Sequence, residues 1–443
     1  MTAVAPLYTV PISERPRQPW RRTFSAVLFF LVFNLGCLMI NASQFVFLLP
    51  LRLLPFKWSR ALYVDGIRYT KGAFGCLLST SPNHHLPSIL ALSVPAVLIC
   101  QWFAPTKLIV SFETTGQGSF TPEDIDRIIV KDKKGDVVSL NLPTKFVMIA
   151  NHQIYLDWLY EWCLLYFIGP QGVHRYVYIT LKKSLQWVPI VGWGMQFFNF
   201  IFLARSWASD RVQLSANLST LGSEAETQDN PLAFILYPEG TLVSQDTRPI
   251  SKKFADKMGI ADMTHTLLPR STGLHYSLRS LSPRIPDLRL IDVTVVYPGK
   301  ECPAGVPPLH YGQDFYTLRS VFFDGIPPPV IHMHLRMFDV AREVPIGYLS
   351  GSNPSEASPK TEPMVEVDIP EKEKKGFDEW LKGLWKEKDD SIGMFYEANS
   401  FAREKAAQVE IPLKLRRKRE MLDAFCFFLP AAAGWAWGKC KTY

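Results

Sequence analysis

The sequence lacks the cysteine patterns that bind metals or cross-link small secreted domains. Its seven cysteines show no CxxC spacing, and most of them lie in apolar runs. A free cysteine in such a run behaves as a small hydrophobic residue. The sequence therefore predicts neither a zinc site nor a disulfide framework, and it favours a reduced, cytosolic environment for the folded part.

Several common catalytic and binding signatures are also missing from the sequence. It contains no Walker loop, no dinucleotide-binding glycine fingerprint and no nucleophile elbow. No stretch resembles a nucleic-acid-binding module, and there are no internal repeats. Any chemistry must therefore rest on another arrangement of side chains.

The composition is intermediate between that of a soluble protein and that of a membrane protein. The 443 residues are 47% hydrophobic and carry a net charge of +7; the mean hydropathy is +0.03 and the pI is about 8.9. These values predict two or three domains, with a folded part attached to a bilayer. A mild basic excess suits an anionic membrane or an anionic substrate and identifies neither.

The longest uncharged run covers residues 23–51 and follows several arginines. About 20 residues suffice for a helix to span hydrocarbon, whereas the core of a secretory signal has about 7–15. We interpret the run as a retained membrane anchor with a cytosolic N-terminus. As an alternative, Asn34, Asn41 and Pro50 would break it into a re-entrant hairpin.

Three further apolar runs are shorter or interrupted. Residues 88–104 and 422–438 are marginal for a membrane span, and the second follows the basic stretch 414–419. That stretch indicates an anionic membrane surface or, alternatively, a solvated helix end. Residues 185–204 contain Pro189 and two glycines, so they predict an apolar element of the folded domain that touches the membrane. The alternative for this run is a simple transmembrane helix.

Between about residues 111 and 349 the pattern is that of an α/β protein. The predicted strands are 145–150, 232–237, 290–297 and 330–338, and the predicted helices include 155–167 and 211–222. Near-continuous apolar strands alternating with helices indicate a mixed, mostly buried sheet covered on both faces. Residues 350–375 predict a disordered linker, and residues 377–401 an amphipathic helix.

The stretch "NHQIYLD" places His152 and Asp157 where a buried strand passes into a helix. Five positions on one helix would not align the two side chains, but they can meet at a strand-to-helix junction. The imidazole would then act as a general base, and the carboxylate would fix its tautomer. The alternative is a histidine that caps or packs in a loop.

Three other stretches carry candidate anion-binding groups. "LAFILYPEGT" ends a predicted strand in Glu239, Gly240 and Thr241, whose turn could cradle an anion or be an ordinary turn. Arg205 and Lys182 flank an apolar run, where Arg205 could bind a phosphate or simply border the membrane. His332 and His334 alternate on a predicted strand, which indicates sheet packing rather than a metal site.

Taken in order, "NHQIYLD", "IFLAR", "YPEGT" and "LLPRSTG" resemble the motifs of the lysophospholipid acyltransferase family, whose best-known members acylate 1-acylglycerol-3-phosphate. The similarity covers roughly residues 140–345. Further stretches, among them "RSTGLHYSLRSL", "IHMHL" and "WLKGLWKEKDD", are similar to the lysocardiolipin/lysophosphatidylinositol acyltransferase branch. Residues 61–115 look like an insertion relative to that branch.

The resemblance implies roles for eight residues. His152 would be the general base and Asp157 its orienting partner. The remaining six would bind the lysolipid: Lys182, Arg205, Glu239, Gly240, Thr241 and Arg270. The resemblance implies no metal and no cofactor; acyl-CoA is a co-substrate that the lysolipid hydroxyl attacks directly.

The resemblance also implies an organisation and a location. We predict an N-terminal membrane-anchor region at 1–110, an acyltransferase domain at 111–349, a linker at 350–376 and a membrane-associated C-terminal region at 377–443. The expected partners are the lysophospholipid, acyl-CoA and membrane lipids, with no nucleic acid. The expected cellular location is the endoplasmic reticulum membrane rather than the mitochondrion. A plain lysophosphatidic acid acyltransferase and a non-catalytic membrane scaffold are the alternative functions.

Overall fold

The computed structural model of the chain describes residues 6–16, 20–76, 96–169, 173–204, 206–299, 310–349, 369–402 and 405–416. Its helices are α1 (Trp20–Ser43), α2 (Leu49–Leu53), α3 (Lys57–Cys76), α4 (Ala96–Phe103), α5 (Pro122–Ile128), α6 (Asp157–Phe167), α7 (Val191–Phe197), α8 (Trp207–Thr227), α9 (Arg248–Met258), α10 (Ser271–Leu281), α11 (Gly312–Phe315), α12 (Val340–Glu343) and α13 (Glu371–Ala398). Its strands are β1 (Lys107–Phe112), β2 (Ile129–Lys131), β3 (Val137–Leu140), β4 (Lys145–Ala150), β5 (Val177–Lys182), β6 (Ile201–Leu203), β7 (Leu232–Leu236), β8 (Arg289–Val296), β9 (Val330–Asp339) and β10 (Gln408–Pro412).

A mixed sheet forms the centre of the fold, and within the described residues its strand order is β10-β1-β9-β8-β4-β7-β5-β6. Strands β8, β4, β7, β5 and β6 are parallel neighbours, whereas β9 is antiparallel to β8 and β10 is antiparallel to β1. The predicted mixed sheet is confirmed.

Alternate residues of β4 enter two separate hydrophobic cores. Phe146 and Met148 belong to the core that also contains α6, whereas Val147 and Ile149 belong to the core built with α8, α10 and α13. Successive side chains of a strand point to opposite faces, so helices cover both sides of the sheet. The predicted strands are apolar almost throughout because both of their faces are buried under helices.

The four predicted strands are present to within about one residue at each end. The strand at 145–150 is reproduced, and β7, β8 and β9 begin or end one residue from the predicted limits. The predicted helix 155–167 begins at Asp157, and 211–222 lies within the longer α8. Six strands of the described chain were not predicted: β1, β2, β3, β5, β6 and β10. Of these, β1 lies inside the apparent insertion 61–115, and β10 lies in the C-terminal region. The sheet therefore draws strands from both sides of the predicted boundaries at 110 and 376.

The N-terminal apolar run stays helical from Trp20 to Leu53, with a π-helical turn over Gln44–Leu48. Among the described residues, Thr23–Leu53 is the one helix long and apolar enough to cross a membrane. The alternative of a break at Asn34, Asn41 or Pro50 is wrong. The Asn34 amide bonds within the helix to the carbonyl oxygen of Phe30, and the π turn precedes Pro50 at the start of α2.

The run 185–204 is not a transmembrane helix. It divides into a 3-10 turn over Lys183–Trp187, α7 and β6, and Ile190 has a positive φ of 67° at the start of α7. Pro189 and the strained residue after it end the first turn. Leu185, Trp187, Val188 and Trp193 remain exposed.

In the C-terminal region the structure confirms the predicted amphipathic helix. Helix α13 begins at Glu371, inside the predicted linker, and ends near the predicted limit of the amphipathic helix. Most of the linker, the end of the basic stretch and the run 422–438 lie outside the described residues. Within the basic stretch, Lys414 pairs with Asp136, and the Arg416 guanidinium lies over the ring of Tyr166.

Candidate active site

The candidate residues are gathered at one edge of the sheet because strands β4, β7, β5 and β6 are parallel. His152 follows the end of β4 by two residues, Glu239 follows the end of β7, and Lys182 is the last residue of β5. The register pairs Ile149 with Leu236 and Lys182 with Leu203. The carboxyl edge of a parallel sheet is the usual position of a ligand site in α/β proteins.

His152 and Asp157 meet at the turn between β4 and α6. The Nδ1 atom of His152 lies 2.7 Å from Oδ2 of Asp157. The Asp157 side chain is fully buried, whereas the His152 side chain is 18% exposed. A carboxylate accepts hydrogen bonds, so the pair fixes the proton on Nδ1 and leaves Nε2 as an acceptor on the other side of the ring.

Asp157 is held by three further donors. The backbone N–H groups of Gln153 and Ile154 donate to Oδ2 over 2.7 and 3.0 Å, and the Tyr297 hydroxyl donates to Oδ1 over 2.6 Å. Burial and the adjacent carboxylate raise the pKa of Tyr297 well above its ordinary value. Tyr297 therefore stays protonated and remains a donor to Asp157. Sequence reasoning missed this residue, which follows β8.

Asn151 fixes the turn on which His152 stands. Its side-chain amide donates to the carbonyl oxygen of Val295 over 2.9 Å and accepts from the Val295 N–H over 2.7 Å. The backbone ladder between β4 and β8 ends at the preceding pair, Ala150 and Val293. The asparagine side chain thus continues the pairing while the main chain leaves the sheet.

One face of the His152 ring is covered by Tyr237. The two ring centroids are 4.5 Å apart and the rings lie 25° from parallel. The Tyr237 hydroxyl donates to Oε2 of Glu161 over 2.6 Å. Burial, together with the negative charge of Asp157, raises the pKa of Glu161 to about 8. Glu161 is therefore largely protonated at neutral pH.

Glu239 connects the pair His152 and Asp157, called the dyad below, to the loop that contains Leu267. Its carboxylate accepts from the backbone N–H of His152 over 3.3 Å and from the backbone N–H of Leu267 over 3.1 Å. Its side chain is buried, which raises its pKa to about 8 although both hydrogen bonds oppose the shift. Glu239 therefore holds two backbone segments together rather than pointing at an anion.

The turn after Glu239 brings Arg270 over the backbone. Gly240 has a positive φ of 71°, a conformation that favours glycine, and a Cβ built there would lie 3.7 Å from Nε of Arg270. The backbone N–H of Arg270 donates to the carbonyl oxygen of Pro238, and that of Val243 donates to the carbonyl oxygen of His152. Gly240, Thr241 and Arg270 line one cavity, and Glu239, which lines it too, accepts from the backbone N–H of His152.

The two remaining predicted binding residues are placed differently. Lys182 is exposed at the carboxyl edge of the sheet, at the end of β5. Arg205 lies outside the described residues, two positions after the end of β6.

A cavity of about 580 Å³ opens beside the turn at 239–241. Its apolar wall consists of side chains from α9 and the following loop: Ile250, Phe254, Met258, Leu267 and Leu268. Its polar wall is formed by Thr241, Arg270, Ser271, Thr272, Asp378 and Lys382. The last two belong to α13, which sequence reasoning did not connect with the site.

Helix α13 also fixes the loop that Glu239 holds. Both carboxylate oxygens of Asp389 accept hydrogen bonds from the backbone N–H groups of Thr264, His265 and Thr266, over 2.7–2.8 Å. Its neighbour Lys388 is fully buried and pairs with Asp292 over 2.7 Å. This part of the site depends on contacts between distant segments, so no local motif reveals it.

His332 and His334 occupy the sheet and pack against neighbouring side chains. His334 contacts the Ser111 hydroxyl over 3.0 Å through Nδ1 and Glu113 over 3.2 Å through Nε2. His332 packs edge-on against Phe395, and burial lowers its pKa to about 4. No group of three histidine, cysteine or acidic side chains in the described part of the chain could hold a metal ion.

Comparisons with known proteins agree on the class of enzyme. A family model described as "Acyltransferase" matches residues 137–297. The 2-acyl-1-lysophosphatidylinositol acyltransferase of Saccharomyces cerevisiae is 34% identical over 316 residues, which cover 65% of this chain and 70% of that protein. An uncharacterised acyltransferase of Schizosaccharomyces pombe is 30% identical, covering 74% of this chain and 78% of that protein. Lysocardiolipin acyltransferase 1 of Danio rerio is 30% identical, and the match covers 57% of this chain and 52% of that protein.

Proposed function

The chain belongs to the lysophospholipid acyltransferase family and is an O-acyltransferase, and from that premise we propose that it transfers an acyl chain from acyl-CoA to the free glycerol hydroxyl of an anionic lysophospholipid. We further propose that the acceptor is of the lysophosphatidylinositol or lysocardiolipin type. The observation that carries the chemistry is the 2.7 Å contact between His152 and the buried Asp157.

In the proposed reaction, Nε2 of His152 removes the proton of the lysolipid hydroxyl. The oxygen then attacks the carbonyl carbon of the thioester, and the carbon–sulfur bond breaks. The proton passes from the imidazolium to the departing thiolate, which leaves as the free thiol of CoA. Asp157 stabilises the imidazolium and holds the ring, and the step needs neither an acyl-enzyme nor a redox cofactor.

The headgroup phosphate is proposed to bind beside the dyad at the turn 239–241. Arg270 is the described cation that borders this turn, and the guanidinium group suits two-point binding of a phosphate. Lys182 ends β5 at the same edge of the sheet. By the family resemblance, Lys182 and Arg205 are proposed to complete the anion site. Glu239 would act by holding the two loops together, because both of its oxygens bind backbone amides.

The preference for a larger headgroup rests on the relatives. The similar protein of Saccharomyces cerevisiae is named for lysophosphatidylinositol, and that of Danio rerio for lysocardiolipin. We propose the endoplasmic reticulum as the membrane, with the apolar helix Thr23–Leu53 as the anchor.

The test is acyl transfer in membranes that contain the protein, using labelled acyl-CoA and a panel of lysolipids. The panel comprises lysophosphatidylinositol, lysocardiolipin, lysophosphatidylglycerol, lysophosphatidic acid and lysophosphatidylcholine. Transfer to the first or second acceptor, lost in an equally expressed His152→Ala variant, is expected. Transfer to lysophosphatidic acid alone would keep the chemistry and overturn the headgroup assignment.

A further inference from the structure

The cavity beside the turn 239–241 has two unlike walls. Ile250, Phe254 and Met258 are four residues apart on α9, so they form one apolar stripe along that helix. Asp378 and Lys382 are one turn apart on α13 and stand on the polar side with Arg270. A cavity with one apolar and one polar wall matches an amphipathic ligand such as a lysolipid.

We propose that this cavity binds the acceptor headgroup, and that Asp378 and Lys382 bind the hydroxyl groups of a polyol joined to the lysolipid by a phosphodiester. The inference rests on the proposed function and makes it more specific. It assigns to α13 the choice between a polyol headgroup and a bare phosphate.

Asp378 is positioned to accept hydrogen bonds from a ligand. Its Oδ1 atom accepts from the Ser271 hydroxyl over 2.7 Å, and its Oδ2 atom accepts from Nζ of Lys382. A carboxylate has about four acceptor positions, so two remain for hydroxyl groups of a ligand. The two existing contacts fix the carboxylate in place, and its side chain is 31% exposed.

The charges that face the cavity suit a single negative charge. Arg270 and Lys382 are cations, whereas Asp378 is an anion. The fourth ionisable group, Glu239, has a pKa raised to about 8 by burial, and both of its oxygens bind backbone amides. One positive charge is therefore in excess, which matches the single charge of a phosphodiester.

The same balance of charges in the cavity disfavours lysophosphatidic acid and CoA as its ligands. A phosphomonoester carries a charge of about −1.5 to −2 at neutral pH, and CoA carries several phosphate charges. Either would place surplus negative charge near the Asp378 carboxylate. A carboxylate also accepts from hydroxyl groups and repels phosphate oxygens. The polar wall therefore favours a phosphodiester with hydroxyl groups over lysophosphatidic acid and over the CoA phosphates.

The test compares Asp378→Ala with wild type on three acceptors that carry the same acyl chain: lysophosphatidylinositol, lysophosphatidylglycerol and lysophosphatidic acid. We expect kcat/KM for at least one polyol acceptor to fall about tenfold or more, the effect of losing a charge-assisted hydrogen bond. The value for lysophosphatidic acid should not fall, because the substitution removes the carboxylate that repels its second negative charge. Which polyol acceptor loses more identifies inositol or glycerol as the headgroup.

The control is Asp390→Ala on the same helix. Asp390 pairs with Lys386 one turn away, as Asp378 pairs with Lys382, but it is exposed and does not line the cavity. It should leave all three rates unchanged. Because every comparison is a ratio within one preparation, partial misfolding of a variant cancels.

Two results would overturn the inference while leaving the proposed function intact. One is an equal loss on all three acceptors in Asp378→Ala, which would show a structural role. The other is unchanged rates on all three. If wild type shows no His152-dependent transfer to any acceptor, both the inference and the proposed function are wrong. Lys382→Met should give the same selectivity pattern as Asp378→Ala.

Discussion

Three contacts fix His152, two at its imidazole and one at its backbone, and none of the three uses the Nε2 atom. Asp157 holds Nδ1, Tyr237 covers one face of the ring, and Glu239 binds the backbone N–H. Asp157 is itself held by Tyr297 and two backbone amides. In the proposed reaction, an imidazole held in this way needs little reorganisation when the substrate hydroxyl arrives.

Replacing Asp157 by asparagine should remove most of the turnover while the fold is kept. The amide can donate a hydrogen bond to Nδ1, which would move the proton to Nε2 and leave no base for the hydroxyl. We expect kcat to fall by about 10²–10⁴-fold, measured as acyl transfer with equal amounts of folded protein. A rate within about twofold of wild type would show that the carboxylate does not orient the base.

Replacing Glu161 by glutamine should be tolerated, because the amide resembles the neutral acid. Burial raises the pKa of Glu161 from 4.5 to about 8. The folded protein thus binds a proton that the unfolded chain releases, and this contribution to stability is full below about pH 4.5 and lost as pH rises through about 8. In detergent, the free energy of unfolding of wild type should decline over that interval, and the decline should be smaller in Glu161→Gln.

Glu113 offers a control, because its pKa is shifted in the opposite direction from that of Glu161. Hydrogen bonds from His334 and Thr115 outweigh burial and lower the pKa of Glu113 to about 2. Its contribution is therefore present above about pH 4.5 and lost as pH falls towards 2. Glu113→Gln should leave the decline at higher pH unchanged. An equal decline in Glu161→Gln and wild type would show that Glu161 is ionised in the folded protein.

Sequence reasoning found the residues that lie close together in the chain and missed their distant partners. His152 and Asp157 belong to one strand-to-helix junction, and Glu239 to Thr241 form one turn, so local patterns identify both. Tyr297 comes from β8 and Asp378 from α13, and each reaches the site only because the sheet and helices pack. No spacing in the sequence encodes those contacts.

At the scale of elements, helix α13 near the C-terminus contacts the loop 264–266 and lines the cavity. Asp389 binds the loop 264–266, the next residue in that loop binds Glu239, and Glu239 binds His152. Gln153 adds a direct contact to the same loop, at 3.3 Å from the carbonyl oxygen of His265. The position of His152 thus depends on a helix more than 200 residues further along the chain.

Asp389→Ala should therefore lower the rate of acyl transfer, although Asp389 does not line the cavity. It leaves three backbone N–H groups without their acceptor, and the one at Thr266 is buried. An unsatisfied buried donor costs about 1–3 kcal/mol. We expect kcat to fall at least about tenfold with a smaller change in KM, because the base loses its position. Measurement of kcat and KM on one acceptor checks this.

The neighbouring Asp390→Ala is the control for this prediction too, since Asp390 is exposed and pairs only with Lys386 among the contacts described. A pure rise in KM in Asp389→Ala, with kcat unchanged, would show that Asp389 shapes the binding cavity instead of positioning the base.

The predictable elements are those whose own sequence is distinctive. Strands β4, β7, β8 and β9 are apolar runs bounded by turn residues, and they were predicted closely. Strand β10 lies at one edge of the sheet, and only two of its five residues are buried. Short edge strands have weak patterns because one side has no neighbour to satisfy.

At the scale of the molecule, the apolar N-terminal helix is joined to the edge of the sheet that carries the site. The Asn41 side chain donates to the carbonyl oxygen of Ile190 over 2.6 Å, and Phe45 packs edge-on against Phe197. The turns around Ile190 follow β5, at the same carboxyl edge as His152. An anchor attached there would hold the site at the bilayer surface, where a lysolipid hydroxyl and a soluble thioester can meet.

The most direct test of the account is the rate of acyl transfer from acyl-CoA to lysophosphatidylinositol by wild type and by His152→Ala at equal expression. If His152 is the base, wild type forms phosphatidylinositol and the variant falls to the background of membranes without the protein. A variant that retains near-normal transfer would contradict the assignment of His152 as the base, and with it the proposed mechanism.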